Sequence, residues 1–222
     1  MKSLMFLICA VILSCGLHAQ DVQVRRYVSA GSESADKQVV VRSIKPFDPP
    51  AFVGEQLFAF AVMPMLETPD RSMDSGLFRF NLFVGAHRST YIFDLGLIGG
   101  ISDYEMNGLA ISGIFNRIGT STGAFQFAGI CNYSGWDMSG CQLSAAWNWT
   151  EGHFSGLQIG LVNNAGRLDG LQIGGFNLAE QGAGVQIGVV NVSERLEGLQ
   201  IGAINVNRDS AVPVLPVLNF AF

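Results

Sequence analysis

Glu151, His153 and Ser155 alternate along the chain, so on an extended segment their side chains point the same way. A carboxylate, an imidazole and a hydroxyl on one face are the parts of an acyl-transfer relay. The acid orients the base, and the base withdraws the proton from the hydroxyl. Thr150 to Ser155 also reads as a polar turn between two apolar strands, where a histidine and a serine need no catalytic role. The turn is the simpler reading, so no catalytic residue is assigned. The other histidine outside the first twenty residues is His87, and no metal-ligand cluster, nucleotide loop or Gly-x-Ser-x-Gly turn appears. No metal or cofactor is expected. Two side-chain amides recur instead: Gln158, Gln172, Gln186 and Gln200, and Asn163, Asn177, Asn191 and Asn205. For the glutamines, satisfying one another's hydrogen bonds is the natural task. The asparagines fall at strand ends, where the side chain accepts backbone hydrogen bonds in turns.

These amides belong to a repeat. Gly156-Leu-Gln-Ile-Gly-Leu-Val-Asn163 returns as Gly170-Leu-Gln-Ile-Gly-Gly-Phe-Asn177, Gly184-Val-Gln-Ile-Gly-Val-Val-Asn191 and Gly198-Leu-Gln-Ile-Gly-Ala-Ile-Asn205, a spacing of fourteen. Looser copies run upstream at a spacing of sixteen, from Gly108 to Asn116, Ala124 to Asn132 and Gly140 to Asn148. Each carries one extra residue before its asparagine, which beside a glycine suggests a β-bulge. Glycine every fourth residue excludes a helix here, and the period-two alternation predicts strands joined by charged turns such as Arg167-Leu-Asp169. One strand face carries Leu, Ile, Phe and Val; the other carries Gly, Ala, Ser and Gln.

Composition narrows the class. Among 222 residues only 14% are charged, 49% are hydrophobic, glycine numbers 27 and the net charge is −5. A nucleic-acid binder would carry a Lys/Arg surplus to neutralise phosphates, and a disordered tail would be far more polar. Met1-Lys-Ser followed by the apolar run Leu4 to Leu17 and by Leu17-His-Ala19 predicts an export signal over residues 1–19. Ile12-Leu-Ser-Cys15-Gly loosely matches a lipoprotein box as an alternative, with Cys15 lipidated. Residues 20–53 form a polar N-terminal segment, and a β domain built on the repeat occupies 54–222. No later run is long and apolar enough for a membrane-spanning helix.

Two architectures use such a repeat: an antiparallel meander closing into a small outer-membrane-type β-barrel, and a parallel β-solenoid. An apolar exterior around a lumen of small and polar side chains suits the barrel. A solenoid is expected to bury the Leu/Ile face and expose glutamine ladders. Two features favour the barrel. Leu218, Phe220 and Phe222 alternate to a terminal aromatic, like the signal read by the barrel assembly machinery, although Pro213 and Pro216 weaken that strand. Folding 124–132 back on 140–148 also sets Cys131 opposite Cys141 as a candidate disulfide pair, whereas parallel stacking would put Cys131 beside Trp147. Trp147, Trp149, Tyr91 and Tyr104 suit either an interfacial aromatic girdle or ordinary packing.

The Gly-Leu-Gln-Ile-Gly-x-x-Asn units, with Pro213-Val-Leu-Pro-Val-Leu-Asn-Phe-Ala-Phe222, resemble a family of bacterial surface repeat-containing proteins first named from spirochaetes, over about residues 76–222. The resemblance implies export and an envelope or surface location and brings no activity. Outer-membrane lipid esterases are similar in placing a histidine and a serine two apart on a barrel strand, as His153 and Ser155 stand here. The sequence therefore leads to an exported outer-membrane or cell-surface barrel-like protein with a structural or interaction role. Envelope lipid and the assembly machinery are its expected partners. A secreted solenoid adhesin or scaffold comes second and a lipid esterase third.

Overall fold

The computed structural model describes residues 56–62, 67–68 and 75–221; the expected leader, the polar segment 20–53 and Phe222 lie outside them. The described residues are all-β, with no helix. The strands are β1 (Gln56–Ala61), β2 (Glu67–Thr68), β3 (Ser75–Asn81), β4 (Val84–His87), β5 (Phe93–Gly96), β6 (Gly99–Ser112), β7 (Phe115–Ala128), β8 (Cys131–Ser134), β9 (Met138–Ser144), β10 (Trp147–Asn207) and β11 (Val214–Ala221). β10 is one continuous run that winds through several coils.

The coils stack in parallel. β6 pairs with β7, β7 with both β8 and β9, and β8 and β9 each with β10, all in the same direction. Only the two ends are antiparallel, β1 with β2 and β10 with β11. This is a parallel β-solenoid, and the expected antiparallel barrel is overturned. Each coil runs along one wall, turns, and returns along a second wall, as β8 and β9 do within residues 131–144.

The expected disulfide falls with the barrel. Cys131 is flanked by Phe115 and Trp147, as parallel stacking requires, and Cys141 by Phe125 and Leu157. Each cysteine alternates with a buried amide, Asn132 or Gln142, so the two thiols leave the coil through different walls. Both are free.

A second expectation is inverted. This solenoid buries its amides and turns the leucines and isoleucines of the Gly-Leu-Gln-Ile-Gly strand outward. Gln126, Gln142, Gln158, Gln172 and Gln186 are fully buried, as are Asn148, Asn163, Asn177, Asn191 and Asn205, while Leu161, Phe176, Val189 and Ile204 are exposed. A buried amide is tolerable only when its donors and acceptors are met, and stacking at the strand spacing of about 4.8 Å meets them. Gln142, Gln158, Gln172, Gln186 and Gln200 each donate Nε2 to the Oε1 of the glutamine one coil earlier, at 2.7–2.8 Å. The asparagines run the other way. Asn148, Asn163, Asn177 and Asn191 each donate Nδ2 to the Oδ1 of the asparagine one coil later, at 2.7–2.9 Å. Each also donates to a backbone carbonyl of that next coil, as Asn163 does to Ile173 O at 2.9 Å. The two ladders thus point their side-chain dipoles in opposite senses along the stack. Beside them lies a column of Met106, Ile118, Met138, Phe154, Leu168 and Leu196, which forms the apolar core.

The glycines make the ladders possible. Gly156 has φ +140°, and a Cβ there would lie 1.9 Å from Gly140 O, a backbone conformation and an approach of coils that only glycine allows. The second glycine of the unit leaves room for the asparagine: a Cβ on Gly174 would come within 2.6 Å of Asn163 Nδ2. The extra residue of the sixteen-residue copies sits in bends such as 145–146, outside the paired strands, and so makes a wider corner in place of the expected bulge.

Both ladder ends differ from the middle. Upstream, Ala110 takes the glutamine position and leaves Gln126 Nε2 without a partner. Beyond it, Asp94 and Arg79 occupy the same file as a buried ion pair. Arg79 also donates to Ile101 O at 2.7 Å, and Asn81 donates to Asp94 at 2.7 Å. Downstream, β11 sets Asn219 opposite Gln200, and Leu218 and Phe220 opposite Ile201 and Leu199. The strand expected to carry an assembly signal covers the last coil of a solenoid. Val217, after Pro216, adopts a left-handed φ of 69°. Pro216 lacks a backbone donor, which suits the last strand of the sheet.

Candidate interaction surface

The alternating Glu151, His153 and Ser155 do not assemble into a relay. His153 Nε2 meets Asp169 Oδ2 at 2.7 Å, one coil away, and its backbone N–H donates to Asp137 Oδ1. Glu151 accepts instead from Tyr133 OH at 2.6 Å. Burial, and then this bond to a carboxylate, push the Tyr133 phenol well above its ordinary range. Asp169 is the better-connected acid. Burial raises its pKa, but the Ala183 N–H, Arg167 and His153 outweigh that and hold it below the ordinary carboxylate value. Among the described residues no group of three or more His, Cys, Asp or Glu side chains is arranged to hold a metal ion.

These groups share one corner of the coil, the turn that follows the asparagine strand. Ion pairs run between successive turns along it: Arg117 to Asp103 at 3.4 Å, Arg195 to Asp209 at 2.7 Å and Arg208 to Glu194 at 2.5 Å. Such exposed pairs contribute little each, on the order of 0–1 kcal/mol. Their importance is their place. From each opening glycine, or its Ala124 equivalent, through to the asparagine, the repeat from Gly108 to Asn205 contains no Asp, Glu, Lys or Arg. Over these coils one wall and the corner beyond it are therefore uncharged, and the charged pair upstream, Arg79 and Asp94, points inward.

That wall is apolar. Register carries one outward file through Phe80, Leu95, Ile111, Phe127, Leu143 and Ile159, and β11 closes it with Leu218 against Ile201. A neighbouring file includes Phe125, 52% exposed, and ends in Phe220, 59% exposed. A shallow groove of about 400 Å³, lined by Ile111, Phe127, Gly129, Leu143 and Ile159, crosses the wall. At the uncharged corner Leu97 and Leu161 project, 63% and 56% exposed. On the opposite wall Trp147 and Trp149 are exposed, lying between the apolar corner and the charged one.

Mutual hydrogen bonding of the recurring glutamines was anticipated, their burial inside a solenoid and the asparagine ladder were not, and the apolar wall was anticipated only as a barrel exterior. Its signal in the sequence is the charge-free interval within every repeat. Compared with protein-family models, curated proteins and solved structures, the chain matches none.

Proposed function

We propose that this chain is an exported cell-envelope protein whose solenoid acts as a structural or interaction module and catalyses no reaction. The observation that carries this reading is the uncharged apolar wall, which is larger than a soluble monomer normally leaves in water. The basic start and apolar run of residues 1–19 support export, and the Gly-Leu-Gln-Ile-Gly-x-x-Asn units support membership of a bacterial surface repeat family. The separate partners of Glu151 and His153 speak against acyl transfer at Ser155.

Fractionation of the source cells, followed by protease treatment of intact cells, tests the reading. Recovery with the envelope, with cleavage from outside, is expected. Recovery in the cytosol overturns export. Ester hydrolysis by the purified protein that disappears in Ser155→Ala overturns the non-catalytic role.

A further inference from the structure

We infer that the uncharged corner, with the edges of the two walls that flank it, seats in one leaflet of a lipid bilayer, with the stack axis parallel to the membrane plane and the charged corner in water. This names the partner of the envelope reading and rests on it.

Size comes first. A wall strand of six residues spans ~20 Å, and the stack from β3 to β11 extends ~40 Å at the usual strand spacing. The wall therefore offers ~800 Å², against roughly 300–600 Å² for the largest apolar patch of a typical monomer. Backbone chemistry comes second. Strands between the ends pair on both sides, so the wall presents no open row of N–H and C=O groups, which is the condition for contact with hydrocarbon. Its inward amides are satisfied within the ladders.

Charge distribution comes third. The acids and bases of the turns lie at the corner opposite the uncharged one, and Trp147 and Trp149 lie on the second wall between the two corners. This is the cross-section of a surface-lying amphipathic element with interfacial aromatics. Wall relief then selects lipid over a second copy. Gly113 and Gly129 interrupt a corner where Leu97 and Leu161 project, and the 400 Å³ groove lies beside Gly129. Fluid acyl chains fill such relief, whereas two rigid walls pressed together would enclose it as cavities.

The full chain recovered from the envelope is mixed with phosphatidylcholine vesicles and floated on a density gradient. Co-flotation that persists at high salt and does not require anionic lipid is expected, because the contact is apolar. Phosphatidylcholine brominated on its acyl chains then reports depth. The chain has three tryptophans. Quenching of Trp147 and Trp149 is expected, and its loss in the Trp147→Phe/Trp149→Phe variant, which keeps only Trp136 beside Asp137 in the charged turn. Ile173→Asp should weaken vesicle binding about tenfold or more, and Ile173→Val should retain it. Absence of flotation, dimers unaffected by vesicles, or equal quenching of Trp136 overturns the seat. Vesicle binding does not depend on where cells place the protein, so its failure is distinguishable from failure of export.

Discussion

Replacing Gln172 by leucine tests whether the amide ladder holds the coils together. Gln172 donates to Gln158 Oε1 at 2.7 Å and to Leu178 O at 3.1 Å, and accepts from Gln186 Nε2 at 2.8 Å. Leucine is of similar size, so little cavity results. It strands an acceptor on Gln158 and a donor on Gln186, both fully buried. At ~1–3 kcal/mol for each unmet buried group the cost is ~2–6 kcal/mol. Burying leucine in place of an amide returns ~1–2 kcal/mol. Taken at their midpoints, these two terms leave a net loss of ~2–3 kcal/mol. Gln200→Leu should cost less, because Gln200 Oε1 already lacks a partner and only one neighbouring glutamine loses its bond. The sharper test is Gln158→Leu combined with Gln172→Leu. Each single change strands amides on both sides, whereas the pair removes the shared interface, so the double variant should cost ~1–3 kcal/mol less than the sum. Urea titration followed by circular dichroism, with amide hydrogen exchange across residues 156–205, measures the parent, the three single variants and the double variant. A Gln172→Leu variant as stable as the parent, or strictly additive costs, would refute the ladder as a cohesive element.

Three further outcomes follow from the same geometry. Gly156→Ala should lower stability by several kcal/mol, since its Cβ would meet Gly140 O at 1.9 Å with φ at +140°, whereas Gly123→Ala, with nothing within 4 Å, should stay within ~0.5 kcal/mol in thermal denaturation. Asp169 has a folded pKa below its unfolded one. Its contribution is therefore present above the unfolded carboxylate range and is lost as pH falls through the folded value, and Asp169→Asn should flatten this acid limb in a pH series of denaturation midpoints. Intact-mass analysis after alkylation in denaturant should count two free thiols outside residues 1–19. In the folded protein Cys141 should alkylate slowly, because burial raises its thiol pKa; a native Cys131–Cys141 bridge would contradict the parallel register.

The Gly-x-Gln-x-Gly-x-x-Asn spacing was enough to establish strands and glutamines that satisfy one another, because period-two alternation is local, whereas the close approach at the glycines appeared only with the stacked coils. It also divided the faces: Leu157 and Ile159 on one side, Gln158 on the other, and no charge between Gly156 and Asn163. The same alternation serves an antiparallel hairpin and a parallel coil equally well, so it could not say whether Cys131 meets Cys141 or Trp147. Tertiary structure decided that through register. Once copies stack in one direction, each Gln158 faces another glutamine and each Asn163 another asparagine, and a continuous ladder makes a buried polar interior affordable. The expectation that a solenoid must bury its leucines failed for this reason, since burial follows from satisfied hydrogen bonds as well as from apolarity. His153 belongs to the same lesson. Its neighbours in sequence, Glu151 and Ser155, suggested a relay, while its partner, Asp169, comes from the next coil, a distance along the chain that only the stacking closes.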